Sequence, residues 1–481
     1  MKKIVYLFLL LLIGTTVNAQ QKKWTLQECV LHALENNISI KQSELNLEAS
    51  EIDRIDAFGN YLPTLNASAS NSWNTGLTQD ITTGVLRNQT SRNSSYSLSV
   101  GVTVFNGLQN LRQLQRAKLA RLASQYNLDK MEDDIALFVA NSFLQVLLNK
   151  ANLDVINAQN KVTLEQITRT QNLVDGGVLP RGDLLEIQAT DASEKQRIAI
   201  AENNVTISLI SLAQLLLIED YPTFDIADDD YTVVETEFSN KNVSEIIEAA
   251  KENRYEVKIA EQNMKIAEKD LQLAKSSYTP TLRAFFNYNT RESGSNRFTQ
   301  TVDPDNPTIT SDIGFVESTG ETVVGVFPNT FLEELNPLPF FDQLSFNDGI
   351  SYGFSLNVPI FNGFSVRNNV KRNKINVRRS QFQLEQARLD LESNVYQAYV
   401  DAKGAKKAYE AAQKALESQE LAYQYAKDRY DVGLTNAFDF SQSKLRYDNA
   451  QIEVNRSKYD YIFKLKVLEL YFGVPASELK I

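Results

Sequence analysis

SYSLSVGVTVFNG, Ser95–Gly107, decides the architecture, because it returns as SYGFSLNVPIFNG at Ser351–Gly363. In the first copy Tyr96, Leu98, Val100, Val102 and Val104 alternate with Ser97, Ser99, Gly101 and Thr103. In the second, Tyr352, Phe354, Leu356, Val358 and Ile360 alternate with Gly353, Ser355, Asn357 and Pro359. Successive side chains of a strand point to opposite faces, so this pattern gives one apolar and one wet face. About ten such residues, with aromatics at one end, suit a tilted membrane strand whose apolar row faces lipid. Both copies then run through Phe-Asn-Gly into a very long helical pattern.

The N-terminus carries an export signature. Lys2 and Lys3 precede an apolar stretch from Ile4 to Ile13, and Val17-Asn18-Ala19 offers small residues for cleavage, so residues 1–19 read as a secretory signal. No Cys stands directly after the cleavage point, which argues against a lipid anchor there. Without Lys2 and Lys3, 47 basic residues face 60 acidic ones. That acidity disfavours nucleic acid or an anionic membrane surface as the main partner. One Cys (Cys29) and one His (His32) preclude a disulfide within the chain and leave no basis for a Cys/His metal site or a Ser-His-Asp triad. Neither a catalytic residue nor a cofactor is expected. Past the signal, no apolar run reaches the roughly 18 residues of a membrane helix. An exported chain that enters a membrane without one must do so as a barrel.

The chain is internally duplicated. Ala33–Asn37 matches Ala250–Arg254, and Tyr61–Leu65 matches Tyr278–Leu282, both at an offset of 217. Val104–Gly107 matches Ile360–Gly363, and Gly177 matches Gly433, at an offset of 256. The growth by 39 marks an insertion between the two strands of the second half. A fixed order repeated at a fixed offset identifies a duplicated unit.

Each unit reads helix, strand, strand, long helix, return helix. Leu26 to Phe58 is apolar at helical spacing, Pro63 ends it, and Leu65, Ala67, Ala69 and Trp73 begin a strand. Asn74 to Ser94 has the composition of a solvated loop. Leu108 to Asp175 then contains no Pro or Gly. At ~1.5 Å per residue that is a helix of roughly 100 Å. Residues 20–220 form the first repeat, 221–242 an acidic linker, 243–473 the second repeat, and 474–481 a tail. The inserted loop at 290–349, rich in Pro and acids, is expected on the outer surface, where barrels carry their long loops.

Four membrane strands per chain cannot close a barrel, and an open sheet edge cannot face lipid. Three chains supply twelve strands, so a trimer is the simplest closure with a wide lumen. The fold class is therefore a mixed α/β membrane protein built as a trimeric 12-stranded β-barrel.

At this point the chain resembles the outer membrane factor family, the TolC-like efflux and secretion ducts, from Trp24 to Gly473. The resemblance lies in the duplication, the Leu-Pro-Thr-Leu and Thr-Pro-Thr-Leu joints, the two Phe-Asn-Gly joints and the Gly turns at 177 and 433. It implies a homotrimer whose barrel continues into a long periplasmic α-helical barrel. It further implies an outer-membrane exit duct of a tripartite efflux or type I secretion system. Such a duct docks on a periplasmic adaptor protein and an inner-membrane efflux pump or ABC transporter. The turns with Gly176, Gly177, Gly433 and Leu434 resemble the periplasmic tips that grip the adaptor. Asp183 matches an acceptor of the closed state, Tyr430 the tyrosine that donates to it, and Asp439 an acidic ring residue facing the lumen. Thr435 stands where an Arg latch can occur, and Gln442 where a second acidic ring can occur. Fewer charge-assisted bonds would then hold the closed state.

Read without the family, Asp183 and Asp439 equally suit helix-start acids, and Tyr430 suits helix packing. A structural or adhesive coiled-coil protein is the competing class, although a fibre has no use for the paired strands. No phosphate-binding or dinucleotide signature appears, so the energy for export comes from a partner. Three Met, one His and one Cys give no soft-metal signature, which lowers copper or silver export among possible cargoes.

Overall fold

The structure is a computed structural model that describes residues 23–79, 86–227 and 242–474. The signal at 1–19, linker residues 228–241 and tail residues 475–481 lie outside the described residues. The chain forms two compact units. One comprises residues 55–115 and 271–372, and the other takes the remainder.

The first unit is built on a four-stranded antiparallel sheet ordered β10–β5–β3–β2. Its strands are β2 (Thr64–Gln79), β3 (Leu86–Phe105), β5 (Thr281–Ser293) and β10 (Gly349–Asn357). Register aligns the apolar positions into rows. Leu65, Val100, Phe286 and Tyr352 form one row, and Ala67, Leu98, Tyr288 and Ile350 the next. The rows between them are polar: Ser70 pairs with Ser95 and Ser68 with Ser97, each pair of hydroxyls 2.7 Å apart. Phe285 is the exception on that face, and its ring lies over Gly353, where a Cβ would sit 3.4 Å from it. A shift of register between Thr103 and Phe105 ends the alternation, so Phe105 takes the place opposite Leu282 that Val104 would have held.

Three sequence expectations are corrected in this unit. Residues 74–79 and 86–94, expected as loop, are strand. β2 and β3 stay paired from Thr64↔Gly101 out to Gln79↔Leu86, because Ser, Thr and Asn pair across strands as readily as they fill loops. Val358 and Ile360 lie beyond β10, which stops at Asn357, two residues before Pro359, a residue with no N–H for the ladder. The 290–349 insertion, expected as a loop, carries strands and a helix of its own. β6 (Arg297–Val302) pairs with β9 (Thr330–Leu335), β7 (Thr308–Phe315) pairs with β8 (Thr322–Pro328), and α7 (Phe340–Phe346) follows. Gln343 of α7 fixes this segment to β5: its amide donates to Ser293 O and its Oε1 accepts from Ser293 N.

The helical unit contains α1 (Leu26–Asn36), α4 (Arg181–Leu215), α5 (Val243–Asn253), α9 (Ala437–Phe472), most of α2 (Ile38–Gly59) and α6 (Tyr255–Ser276), and most of two long helices. These are α3 (Gln109–Asp175) and α8 (Ser365–Asp431), each of 67 residues. α8 runs unbroken through Gly404. The first helical stretch, expected as one helix, is broken at Asn37, whose extended backbone (ψ 133°) is held because its Oδ1 accepts from Ser39 N. Arg254 breaks the second half at the matching place, also at ψ 133°. Its guanidinium is buried between Asp133 and Glu256, 3.0 Å from each.

β1 (Lys23–Trp24) pairs in parallel with β4 (Asp225–Ile226) beside the main core of Phe143, Val139, Leu212 and Ile226. The two larger cores are copies of one another. Cys29, Ala33, Ile40, Leu128, Ile135 and Val139 recur as Ile246, Ala250, Val257, Leu384, Leu391 and Val395. Cys29 thus serves as a small core residue. α4 is, by length and composition alone, apolar enough to cross a membrane, although no unbroken apolar run in it reaches 18 residues.

Candidate gate at the helical turns

α3 and α8 end in the same device. Gly177 and Gly433 take left-handed φ values of 72° and 73°. Val178 N then bonds back to Leu173 O, and Leu434 N to Arg429 O, each at 2.8 Å. This closes the ends of both helices, and a glycine meets the left-handed backbone without a Cβ penalty. Val178, Val432 and Leu434 stand about two-thirds exposed at these turns. Pro180 opens α4 and Asn436 opens α9, with the Asn436 side chain accepting from Asp439 N at 2.8 Å.

A small aromatic core binds the two turns. Tyr430 stacks on Phe440 at 4.9 Å between centroids, and Tyr423 stacks on Tyr447 at 5.2 Å. Ile187 and Ala437 complete it. Arg169 of α3 pairs with Asp431 of α8 at 3.0 Å. Burial pushes the Tyr423 hydroxyl up to about 12 and raises that of Tyr430 too, with a lesser push from the Asp183 charge. Both phenols therefore stay neutral.

The expected Asp183–Tyr430 bond is not made within the chain. The Tyr430 hydroxyl pairs with Thr170 Oγ1 at 2.9 Å, in a buried site. Asp183 sits half-buried in the first turn of α4, where its own N–H donates to Pro180 O. Helix-start acid and tyrosine are thus near enough to feel one another but are not bonded. Asp439 is exposed in the first turn of α9 and accepts a long bond (3.4 Å) from Thr435 Oγ1. Gln442 is also exposed. Thr435 therefore acts locally on Asp439.

Sequence reasoning missed a charged cluster deeper along the same helices. Lys444 of α9 lies 2.6 Å from Glu194 of α4 and 3.4 Å from Asp448, and all three side chains are at most 5% exposed. Asn160 of α3 donates to Glu194 at 3.1 Å and to Asp191 at 3.0 Å. Burial pushes the Asp448 carboxyl up to about 6, against the pull of Lys444, and its Oδ1 has no hydrogen-bond partner among the described residues. Beside the cluster is a cleft of about 380 Å³ lined by Glu186, Arg197 and Gln442. The only sequence hint was the four-residue spacing of Lys444 and Asp448. Glu194 lies 250 residues away from Lys444. Among the described residues no group of three or more His, Cys, Asp and Glu side chains could hold a metal ion.

A family model described as outer membrane efflux protein matches residues 30–216 and 333–474. Comparison with curated proteins finds no match. Among solved structures, the CmeC outer membrane channel of Campylobacter jejuni is similar at 16% identity with a TM-score of 0.74, covering 93% of this chain and 85% of CmeC. The outer membrane protein VceC of Vibrio cholerae shows 13% identity and a TM-score of 0.71, covering 93% of this chain and 96% of VceC. The open state of the Neisseria gonorrhoeae MtrE outer membrane channel shows 18% identity and a TM-score of 0.65, covering 93% of this chain and 88% of MtrE. At these identities the likeness establishes the shared fold.

Proposed function

The chain belongs to the outer membrane efflux protein family, and on that premise we propose that three copies form a passive exit duct fed by an energised partner. The observation that carries the trimer is the open sheet. Among the described residues β10 and β2 are both unpaired edges, and the apolar rows between them include Tyr352, Phe354 and Trp73, each at least 65% exposed. An edge of this kind cannot face lipid, whereas three such sheets close without an edge. The apolar rows face lipid and the Ser-rich rows face the lumen.

The helices support the same reading. Ile375, Phe382, Leu389 and Tyr396 recur every seven residues along α8 and are 55–69% exposed. A stripe at that spacing is the seam of helix-to-helix packing, and here other copies cover it. The exposed turns around Gly176, Gly177, Gly433 and Leu434 are the contact for a periplasmic adaptor, which couples the duct to an inner-membrane pump or transporter. A fibrous coiled-coil role leaves the amphipathic sheet unexplained.

Single-channel recording on purified protein, together with its mass in detergent, tests this reading. A trimer that conducts ions supports it. A folded monomer, or a trimer without conductance under any voltage, removes it.

A further inference from the structure

The two halves of the chain meet along a seam that the duplication leaves half used. Element boundaries recur at constant offsets: 217 carries α1 and α2 onto α5 and α6, and 256 carries α3 onto α8 and the start of α4 onto that of α9. Within one copy, α3 of the first half contacts α6 of the second, and β3 pairs with β5. The cognate elements are α8 with β10, and α2 with β2. These are the ones left with an open sheet edge or an uncovered face.

We infer that the same seam forms between copies. α8 and β10 of one copy meet α2 and β2 of the next, in the register found by adding 256 to the first partner and subtracting 217 from the second. The inference rests on the trimeric reading and specifies its interface residue by residue.

The side chains at the mapped positions fit. Arg116 pairs with Asp270 at 2.5 Å, and the mapped residues are Arg372 and Asp53, again a cation and an acid. Tyr126 packs on Tyr255 at 6.1 Å, and the mapped residues are Phe382 and Ile38, which are 69% and 56% exposed in the single copy. A Cβ on Gly107 would overlap Thr279, so that glycine is needed for close approach. The mapped Gly363 faces open space, and its cognate Leu62 is 55% exposed.

The strands map equally well. Tyr96↔Thr290, Ser99↔Asn287 and Val100↔Phe286 become Tyr352↔Trp73, Ser355↔Ser70 and Leu356↔Ala69. Apolar rows thus continue into apolar rows and polar into polar. A one-residue slip would break this continuity on both faces.

Charge supports the pairing independently of the register. No acid occurs between Asp348 and Glu385, while the start of α8 carries Arg367, Lys371, Arg372, Lys374, Arg378 and Arg379, all exposed. α2 offers Glu44, Glu48, Asp53 and Asp56, also exposed. A basic face meeting an acidic one sets orientation and excludes the reverse docking. One feature is not copied: the Arg254–Asp133 pair maps to Asn37 and Leu389, so at that level the seam between copies is less charged.

Cysteine trapping tests the register, because β2 presents Ser68, Ser70 and Ser72 on one face and native Cys29 is buried. Ser355→Cys is combined in turn with each Ser→Cys change, and the intact protein is oxidised and run denatured. Directly opposed Cβ atoms lie about 4.5–5.5 Å apart and diagonal ones about 7–8 Å, so only the first are near disulfide range. S70C/S355C should give covalent dimers and trimers in several-fold excess over S68C/S355C and S72C/S355C. Linking strongest at Ser68 or Ser72 overturns the register. Absence of linking from a particle of trimer mass overturns the interface and leaves the trimer intact, whereas a monomer mass removes the trimer itself. Should the cysteine variants not assemble, Asp53→Arg and Arg372→Asp give a second test. Each alone should lower the heat resistance of the trimer and the pair together should restore it; no recovery overturns the assignment.

Discussion

Lys444 of α9 and Glu194 of α4 form a buried ion pair, with Nζ 2.6 Å from Oε1 and neither side chain more than 5% exposed. With Asp448 and Asn160 it joins the return helices of the two halves just beyond the turns. A buried pair gains little over an apolar pair of equal volume, but losing one member strands the other. Lys444→Met leaves two carboxylates without their cation and should cost about 3–5 kcal/mol of local stability. Faster hydrogen exchange along the middle of α4 and α9 would report it, and Glu194→Gln/Lys444→Met/Asp448→Asn should recover most of the loss. Unchanged exchange in the single variant would show that the cluster does not hold the helices.

The same cluster makes this seam sensitive to acid. Burial raises Asp448 from the usual carboxylate value to about 6, with Lys444, Glu194 and Arg197 as the charges around it and Tyr423 and Tyr447 as nearby neutral phenols. The folded state therefore holds this proton more tightly than the unfolded chain does. Stability from this group rises as pH falls through 6 toward the unfolded value near 4, and is lost again by neutral pH. The full range is at most about 3 kcal/mol. Exchange near α9 should thus be slower at pH 5.5 than at pH 7.5 after correction for intrinsic rates, and Asp448→Asn should flatten the difference.

Tyr430 is tied to Thr170 across 260 residues of sequence. Tyr430→Phe removes one buried bond and strands the Thr170 hydroxyl, a loss of about 1–3 kcal/mol. If this bond steadies the turns, single-channel recordings should show more frequent opening in Tyr430→Phe and in Thr170→Val. Asp183→Asn should change opening far less, since Asp183 bonds neither residue in the chain. An Asp183 effect as large as that of Tyr430 would return the link to Asp183.

The architecture was legible because two periodicities, two residues in the strands and three or four in the helices, recur at offsets of 217 and 256. The repeated Phe-Asn-Gly joints fix the alignment of the two halves. Strand ends were not legible. Asn74–Ser94 reads as loop by composition, yet its Ser and Thr hydroxyls pair across β2 and β3, as Thr75 does with Thr90 at 3.0 Å. Pro359 looked like one more small residue in the alternation, and it lies just past the end of β10. The gate was the least legible part. Gly177 and Gly433 are needed by the backbone wherever they occur, but nothing local to Tyr430 or Lys444 names a partner hundreds of residues away. Long-range polar pairs of this kind are set by how the helices cross, and the helical repeat does not encode it.

We propose that Asp439 is the residue through which the turns act on passing ions. Asn436 caps α9 at its backbone, and Thr435 touches one carboxylate oxygen, so the charge is placed at the helix start and left exposed. Three copies would set three such carboxylates around the axis of the duct. At an effective dielectric near 20, a cation about 8 Å from each gains about 2 kcal/mol per carboxylate before screening by salt. Asp439→Asn should therefore weaken block of the channel by a trivalent cation at least tenfold at low salt, with the difference shrinking at high salt. Gln442→Glu would add a second ring one turn further along α9 and should strengthen block. If Asp439→Asn leaves block unchanged while Gln442→Glu enhances it, the constriction lies at the second position, and Asp439 is simply an acid at a helix start.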